Sequence, residues 1–255
     1  MNNYSALPSD MPSNASYQHE VLVEEYEGLR LMSFDGDRVQ SAMEINSPYE
    51  LTVAYTQRIM SFLLFHPAPQ RIAMIGLGGG SLAKFIHHEM PDTSTTIVEI
   101  DPRVLATARS HFYLPQDDER LQVVIGDGSE YVATHRSCAD ILIVDGFDLH
   151  GQSPSLCTQS FYDGCFTALR PGGVLVVNLF DVGKAVDVFL ERIQARFGDT
   201  VLISSSERDN NCIVFGFKDE SNFLFNGKLI DRAETLMQRY RLPFPSFIET
   251  IKHMS

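Results

Sequence analysis

Two carboxylates three residues apart, Asp145 and Asp148, stand where the apolar run Ile141 to Val144 gives way to a glycine. Burying a charge without a partner is expensive, so such a pair should face a cleft or a cation. One member can then act as a general base while the other holds a positive group. The alternative is a capped loop with two solvated acids. A second constellation lies upstream. The run Ile72 to Ile75 breaks into Gly76-Leu77-Gly78-Gly79-Gly80, a helical pattern follows from Ser81, and the run Thr96 to Ile100 carries Glu99 near its end. Strand, glycine turn, helix and a strand with a terminal acid is how a doubly wound sheet builds a nucleotide site. The acid can accept hydrogen bonds from both hydroxyls of a ribose. Tight turns need glycine in non-binding proteins too; the spacing to Glu99 is what points to a nucleoside.

Other polar residues fall at the ends of apolar runs. Asp127, beside Gly128, follows Leu121 to Ile125 and reads either as an acceptor for the exocyclic amine of a purine or as a turn residue. Asn178, near the end of Val174 to Leu179, reads either as a substrate contact or as a loop tie. Asp101, before Pro102, reads as a helix cap. His87, His88 and His111 have no partner at metal-ligand spacing, so no metal is expected. The serines near Ser153 lack a nucleophile-elbow pattern, which excludes acyl hydrolysis.

The elements that must position these residues follow from the pattern. From Arg71 the chain alternates strand and helix, which predicts an α/β fold with a Rossmann-like sheet. In open sheets of this kind ligands bind beyond the carboxyl ends of the strands, which would gather the separated polar residues on one rim. Residues 1–18 read as a loose tail. Residues 19–46 read as a small antiparallel β unit with a hairpin at Asp35-Gly36. Residues 47–220 form the sheet domain, opened by a helix expected to start at Ser47-Pro48. Cys212 to Lys218 should pair antiparallel with Val201 to Ser204, because a parallel crossover needs more chain. Residues 221–255 supply a last helix, Leu229 to Tyr240, and a Pro-containing tail.

Composition narrows the function. The formal net charge is −13 over 255 residues, with no basic run. Phosphate neutralisation needs clustered Lys and Arg, so a nucleic-acid partner is not expected; a cationic small molecule suits the charge better. The four cysteines are scattered and read as buried free thiols. No apolar run reaches membrane-spanning length and no signal region opens the chain, so the expectation is a cytoplasmic protein.

In the order and spacing of IGLGGGSL, VEIDPRV, DDERLQVVIGDGSEYV, ILIVDGFD, LCTQSFYDGC and LRPGGVLVVN, over about residues 20–220, the chain resembles the spermidine synthase family, the polyamine aminopropyltransferases. It more closely resembles that family's divergent bacterial, spermidine synthase-like branch. The resemblance implies a seven-stranded methyltransferase-type domain behind a small N-terminal β domain, a homodimer, and decarboxylated S-adenosylmethionine as donor. It implies that Glu99 holds the ribose and Asp127 the adenine amine. The glycines Gly76, Gly78, Gly79, Gly80 and Gly128 would frame the donor, and Gln40 would approach it from the hairpin. Asp145 would deprotonate the attacking amine and Asp148 would grip it. A tyrosine of the family matches Tyr55 when counted back from the glycine turn and Tyr49 when counted forward from Gln40.

Two departures matter. The family's glycine turn contains an aspartate that helps hold the donor's ammonium; the matching position here is Gly78 or Gly79. A late Tyr-Pro-x-Gly-like segment is replaced by Arg208-Asp209-Asn210-Asn211-Cys212-Ile213-Val214-Phe215. An acid beside the donor tail would repel the carboxylate of ordinary S-adenosylmethionine and a glycine would not. Methyl transfer from S-adenosylmethionine is therefore a second expectation, and nucleoside binding without turnover a third.

Overall fold

The computed structural model describes residues 20–35, 38–148, 151–180, 184–206, 209–219 and 228–254. Its first three strands, β1 (Val21–Tyr26), β2 (Leu29–Phe34) and β3 (Arg38–Glu44), form an antiparallel sheet in that order. The β1–β2 turn is Glu27-Gly28, both left-handed at φ 49° and 82°. That is the two-residue turn whose twist suits a hairpin. Glu27-Gly28 was not among the turns expected from sequence. Of the expected Asp35-Gly36 turn, Gly36 lies outside the described residues.

The next helix does not begin at Ser47. Ser47 to Glu50 make a local turn, with Glu50 N–H donating to Ser47 O at 3.0 Å. The helix α1 is Ala54–Ile59, extended by a 3₁₀ turn over Met60–Leu64. Tertiary contacts override the local start signal. Leu51 is buried, Gln57 Nε2 donates to Leu51 O at 2.6 Å, and Tyr49 stacks on His88 with ring centroids 4.8 Å apart.

The main sheet then builds by alternation. It runs β4 (Arg71–Ile75), α2 (Ser81–Glu89), β5 (Ser94–Glu99), α3 (Pro102–His111), β6 (Leu121–Ile125), α4 (Gly128–Thr134) and β7 (Ala139–Val144). A two-stranded ribbon, β8 (Phe147–Asp148) with β9 (Gly151–Gln152), interrupts it. There follow α5 (Gln159–Ala168), β10 (Leu169–Phe180), α6 (Lys184–Phe197), β11 (Val201–Ser206), β12 (Asp209–Phe217), α7 (Lys228–Tyr240), α8 (Phe244–Thr250) and β13 (Ile251–His253). The strand order is β13-β11-β12-β10-β7-β4-β5-β6. β11 and β12 pair antiparallel, as their short connection requires.

Two features of this sheet differ from expectation. β10 begins at Leu169 and passes through Pro171-Gly172-Gly173, with a register shift between Leu169 and Val174 against β7. The tail after α7 is ordered chain: α8 and β13, the latter pairing with β11 as an eighth strand on the seven expected.

Period-two alternation sends each central strand into two cores. Ile72, Met74, Ile141, Ile143, Val174 and Val176 face one, with α2, α3, α7 and the N-terminal sheet. Ala73, Ile75, Leu142, Val144, Leu175 and Val177 face the other, with α5 and α6. Strands buried on both faces read as continuous apolar runs, which is why the sequence marks them plainly. The four cysteines are free; Cys157, Cys165 and Cys212 are buried and Cys138 is half-buried. Among the described residues no helix is long and apolar enough to cross a membrane.

Candidate active site

The chain leaves β4 outward through β5 and β6, then returns to place β7 on the other side of β4. That reversal opens a crevice at the carboxyl ends of β4 and β7. Gly76 leaves one strand there and Asp145 the other. A Cβ on Gly76 would lie 2.2 Å from Asp145 O, and Gly76 has φ +95°. Only a residue without a side chain lets these strand ends meet.

A cavity of about 260 Å³ fills the crevice. Gly76, Gly78, Glu99, Asp127, Gly128 and Asp145 line it from the main sheet; Gln40 and Ser41 come from β3 and Tyr55 from α1. Gly79 and Gly80 are buried behind this wall. A Cβ on Gly79 would lie 2.7 Å from Ser41 Oγ and 2.8 Å from Phe112 Cδ1. The space an acid would need at Gly79 is therefore already filled; at Gly78 a Cβ would come no nearer than 3.7 Å, and it is the φ of +53° that disfavours one.

Glu99 ends β5 almost wholly buried. Its Oε2 accepts the Leu77 N–H at 2.9 Å and its Oε1 the Asp101 N–H at 2.9 Å. Burial pushes its carboxyl up to about 7 in spite of the main-chain donors of Leu77, Asp101 and Ile100. A carboxylate offers about four acceptor sites, so the group can still accept a hydroxyl beside these donors. Asp101 caps α3, accepting from Arg103 N–H at 2.9 Å and pairing with its guanidinium at 2.7 Å. Asp127 caps α4: its Oδ1 accepts both the N–H and the O–H of Ser129 at 2.6 Å. The same carboxylate lines the cavity, so a cap and a ligand contact coexist on one residue.

Asp145 is held from two sides. Asn178 Nδ2 donates to Oδ1 at 2.8 Å, and Tyr55 Oη donates to Oδ2 at 3.4 Å. Burial raises its carboxyl above the ordinary range, opposed by those two donors. Burial, and then the Asp145 charge, push the Tyr55 phenol well up, so it stays a donor. Of the two tyrosines open in the sequence, Tyr55 lines this cavity; Tyr49 stacks on His88 away from it. Asn178 is 1% exposed and spends its amide on Asp145. The Asp148 backbone pairs with Gly151, while its side chain lies outside the described residues. Of the segment that follows Asp148, His150 also lies outside them; Ser153, Ser155 and Leu156 line the cavity.

Sequence reasoning missed Ser41 and Asn211. Asn211 Nδ2 donates to Asn178 Oδ1 at 2.9 Å. No local pattern signals a contact between residues 33 positions apart on neighbouring strands. The wall carries four carboxylates, Glu99, Asp101, Asp127 and Asp145, and no Lys, Arg or His among the described residues that line it. No cluster of metal-ligating side chains occurs among the described residues. The arrangement suits a buried nucleoside bearing positive charge, with a hydrogen-bonded carboxylate beside its reactive end.

Comparison with known proteins places the fold among known ones. The model of the spermine/spermidine synthase domain matches residues 52–186. A polyamine aminopropyltransferase of Neisseria meningitidis is 36% identical over 234 residues, covering 91% of this chain and 89% of that protein. The spermidine synthase of Thermotoga maritima shares the fold, with TM-score 0.64 at 20% identity over 89% of this chain and 84% of that one. Human methyltransferase-like protein 13, solved in complex with SAH, superposes with TM-score 0.67 at 27% identity, over 74% of this chain and 93% of that chain. A domain match across more than half of the sequence, joined to a relative of near-equal extent, places the chain in the spermine/spermidine synthase family of transferases.

Proposed function

We propose that the protein transfers an aminopropyl group from decarboxylated S-adenosylmethionine to a primary amine such as putrescine. The observation that carries this reading is the charge of the cavity wall: four carboxylates, of which only Asp101 is paired to a described cation, Arg103, and no described cationic side chain lining it. Such a wall favours a donor with a sulfonium and an ammonium and no carboxylate. It also attracts a protonated amine. Asp145 takes a proton from that ammonium, and the freed nitrogen lone pair attacks the methylene carbon bonded to sulfur. A C–N bond forms, the C–S bond breaks, and its electron pair stays on sulfur as the neutral thioether of methylthioadenosine. The leaving group comes with the donor, so the chain's task is positioning and proton removal. Glu99 takes the ribose hydroxyls, Asp127 the adenine amine, and Tyr55 and Asn178 hold the base. Asp148 is assigned the grip on the acceptor amine.

A second reading has its own support. The glycine turn has no acid and no room for one at Gly79, and the methyltransferase-like protein among the relatives was solved with SAH. Methyl transfer from ordinary S-adenosylmethionine would yield S-adenosylhomocysteine. Incubating the protein with putrescine and each donor in turn separates the two. Methylthioadenosine release from the decarboxylated donor supports aminopropyl transfer; S-adenosylhomocysteine release from the ordinary donor replaces it with methyl transfer. Donor binding with neither product points to a nucleoside-binding protein. Asp145→Asn is expected to lower kcat about 100-fold or more while methylthioadenosine affinity stays within a few-fold. Unchanged turnover would remove the base role.

A further inference from the structure

An asparagine beside a carboxylate can present either end of its amide, and only one end helps. The Nδ2 end donates to Asp145; the Oδ1 end would set one acceptor against another. We propose that Asn211, anchored by Arg58, is a positioning residue that fixes the amide direction of Asn178 and so holds Asp145 as a hydrogen-bonded carboxylate. The inference rests on the reading of Asp145 as the base.

The path is continuous. Arg58 on α1 is 5% exposed, and its Nη2 donates to the main-chain O of Asn211 at 2.9 Å. Asn211 Nδ2 donates to Asn178 Oδ1 at 2.9 Å, and Asn178 Nδ2 to Asp145 Oδ1 at 2.8 Å. From β9, Gln152 Nε2 donates to the main-chain O of Asn178 at 3.2 Å. Because Asp145 as a carboxylate only accepts, the polarity of every side-chain amide in the row follows. Asn178 must turn its N–H groups toward Asp145, its oxygen then faces β12, and a donor must meet it there. Asn211 supplies that donor; an aspartate at 211 has none. Tyr55 and Arg58 are three residues apart on α1, so one helix supports both oxygens of Asp145: one directly, one through two asparagines. The groups around Asp145 are Tyr55 from α1 and Asn178 from β10. Glu99 from β5 and Asp127 at the start of α4 share its cavity, and Asp148 follows it in the chain.

The test is the titration of Asp145 in the full-length protein, followed by NMR with aspartate labelled with ¹³C at the side-chain carboxyl. The Asp145 signal is identified by its loss in Asp145→Asn. Asn211→Asp, isosteric and without the donor, is expected to flip the Asn178 amide and raise the Asp145 midpoint by about one pH unit or more, a tenfold rise in proton affinity. Asn211→Ala removes the donor without adding charge and is expected to raise it by about half a unit. It carries the test alone if the aspartate variant does not fold. Midpoints unchanged from wild type overturn the proposal. So does a shift with aspartate but none with alanine, because charge and not amide direction would then be the cause. Failure of the base reading shows elsewhere, as turnover surviving in Asp145→Asn, and leaves the titration result intact.

Discussion

Asp127 gives one carboxylate oxygen to the N–H and O–H of Ser129 and keeps a second outside the cap. Asparagine caps helices as well as aspartate does, but its amide nitrogen would meet the exocyclic amine donor to donor. Asp127→Asn is therefore expected to leave the melting temperature unchanged while nucleoside affinity, measured by calorimetry, falls about tenfold. A loss of stability with affinity intact would make the residue a cap alone. Glu99 adds a pH dependence. Its folded value of about 7 lies above the ordinary 4.5, so its contribution to stability is complete below about pH 4.5 and is lost as pH rises through 7. The loss is on the order of 3 kcal/mol. Relative to Glu99→Gln, the ligand-free wild type should lose stability between about pH 4.5 and 7 in denaturant titrations. Ribose hydroxyls favour the ionised form, so nucleoside affinity should rise over the same interval in wild type and stay flat in Glu99→Gln. At this scale the sequence was informative about Glu99, Asp127 and Asp145, because each follows an apolar run where a charge has no packing reason to be. It was silent on Asn211 and Arg58, whose contacts exist only after β12 folds back beside β10.

At the scale of elements, the glycines at two turns differ in what surrounds them. Gly28 at φ +82° has open space where a Cβ would go, whereas at Gly76 that Cβ would strike the Asp145 carbonyl. Gly28→Ala is expected to cost about 1 kcal/mol from backbone strain alone, and Gly76→Ala about 2–4 kcal/mol with loss of nucleoside binding. Equal costs in chemical denaturation would contradict the close approach of β4 and β7. The strand–helix alternation from Arg71 onward was legible because strands buried on both faces are unbroken apolar runs. The start of α1 was not. Ser47-Pro48 has the local signature of a helix start, but burial of Leu51 and the stacking of Tyr49 draw that segment into a turn. β13 was missed because three residues carry no periodicity; its pairing with β11 is what makes Ile251–His253 a strand.

Across the whole molecule, the crevice and the far edge of the sheet are separate concerns. β13 pairs through Ser204↔Ile251 and Leu202↔His253, with three strands between it and β7 at the cavity. Removing residues 251–255 is expected to lower the melting temperature by about 5 °C or more while leaving nucleoside affinity within about twofold at temperatures below the transition. A loss of affinity in the folded truncated protein would show that the edge reaches the site. The acid-rich cavity and the net charge of −13 act in one direction, concentrating cations near the crevice mouth. The absence of one methyl group at Gly76 has a wider consequence. With the tips of β4 and β7 touching there, the turn proposed to seat the nucleoside and the residue proposed to accept the proton share a single rigid frame. Their alignment is set when the chain folds, before either reactant arrives. Variation in the proposed acceptor would then fall to the residues that follow β7 along the cavity, Phe147, Ser153, Ser155 and Leu156, since the β4–β7 frame has no slack to give.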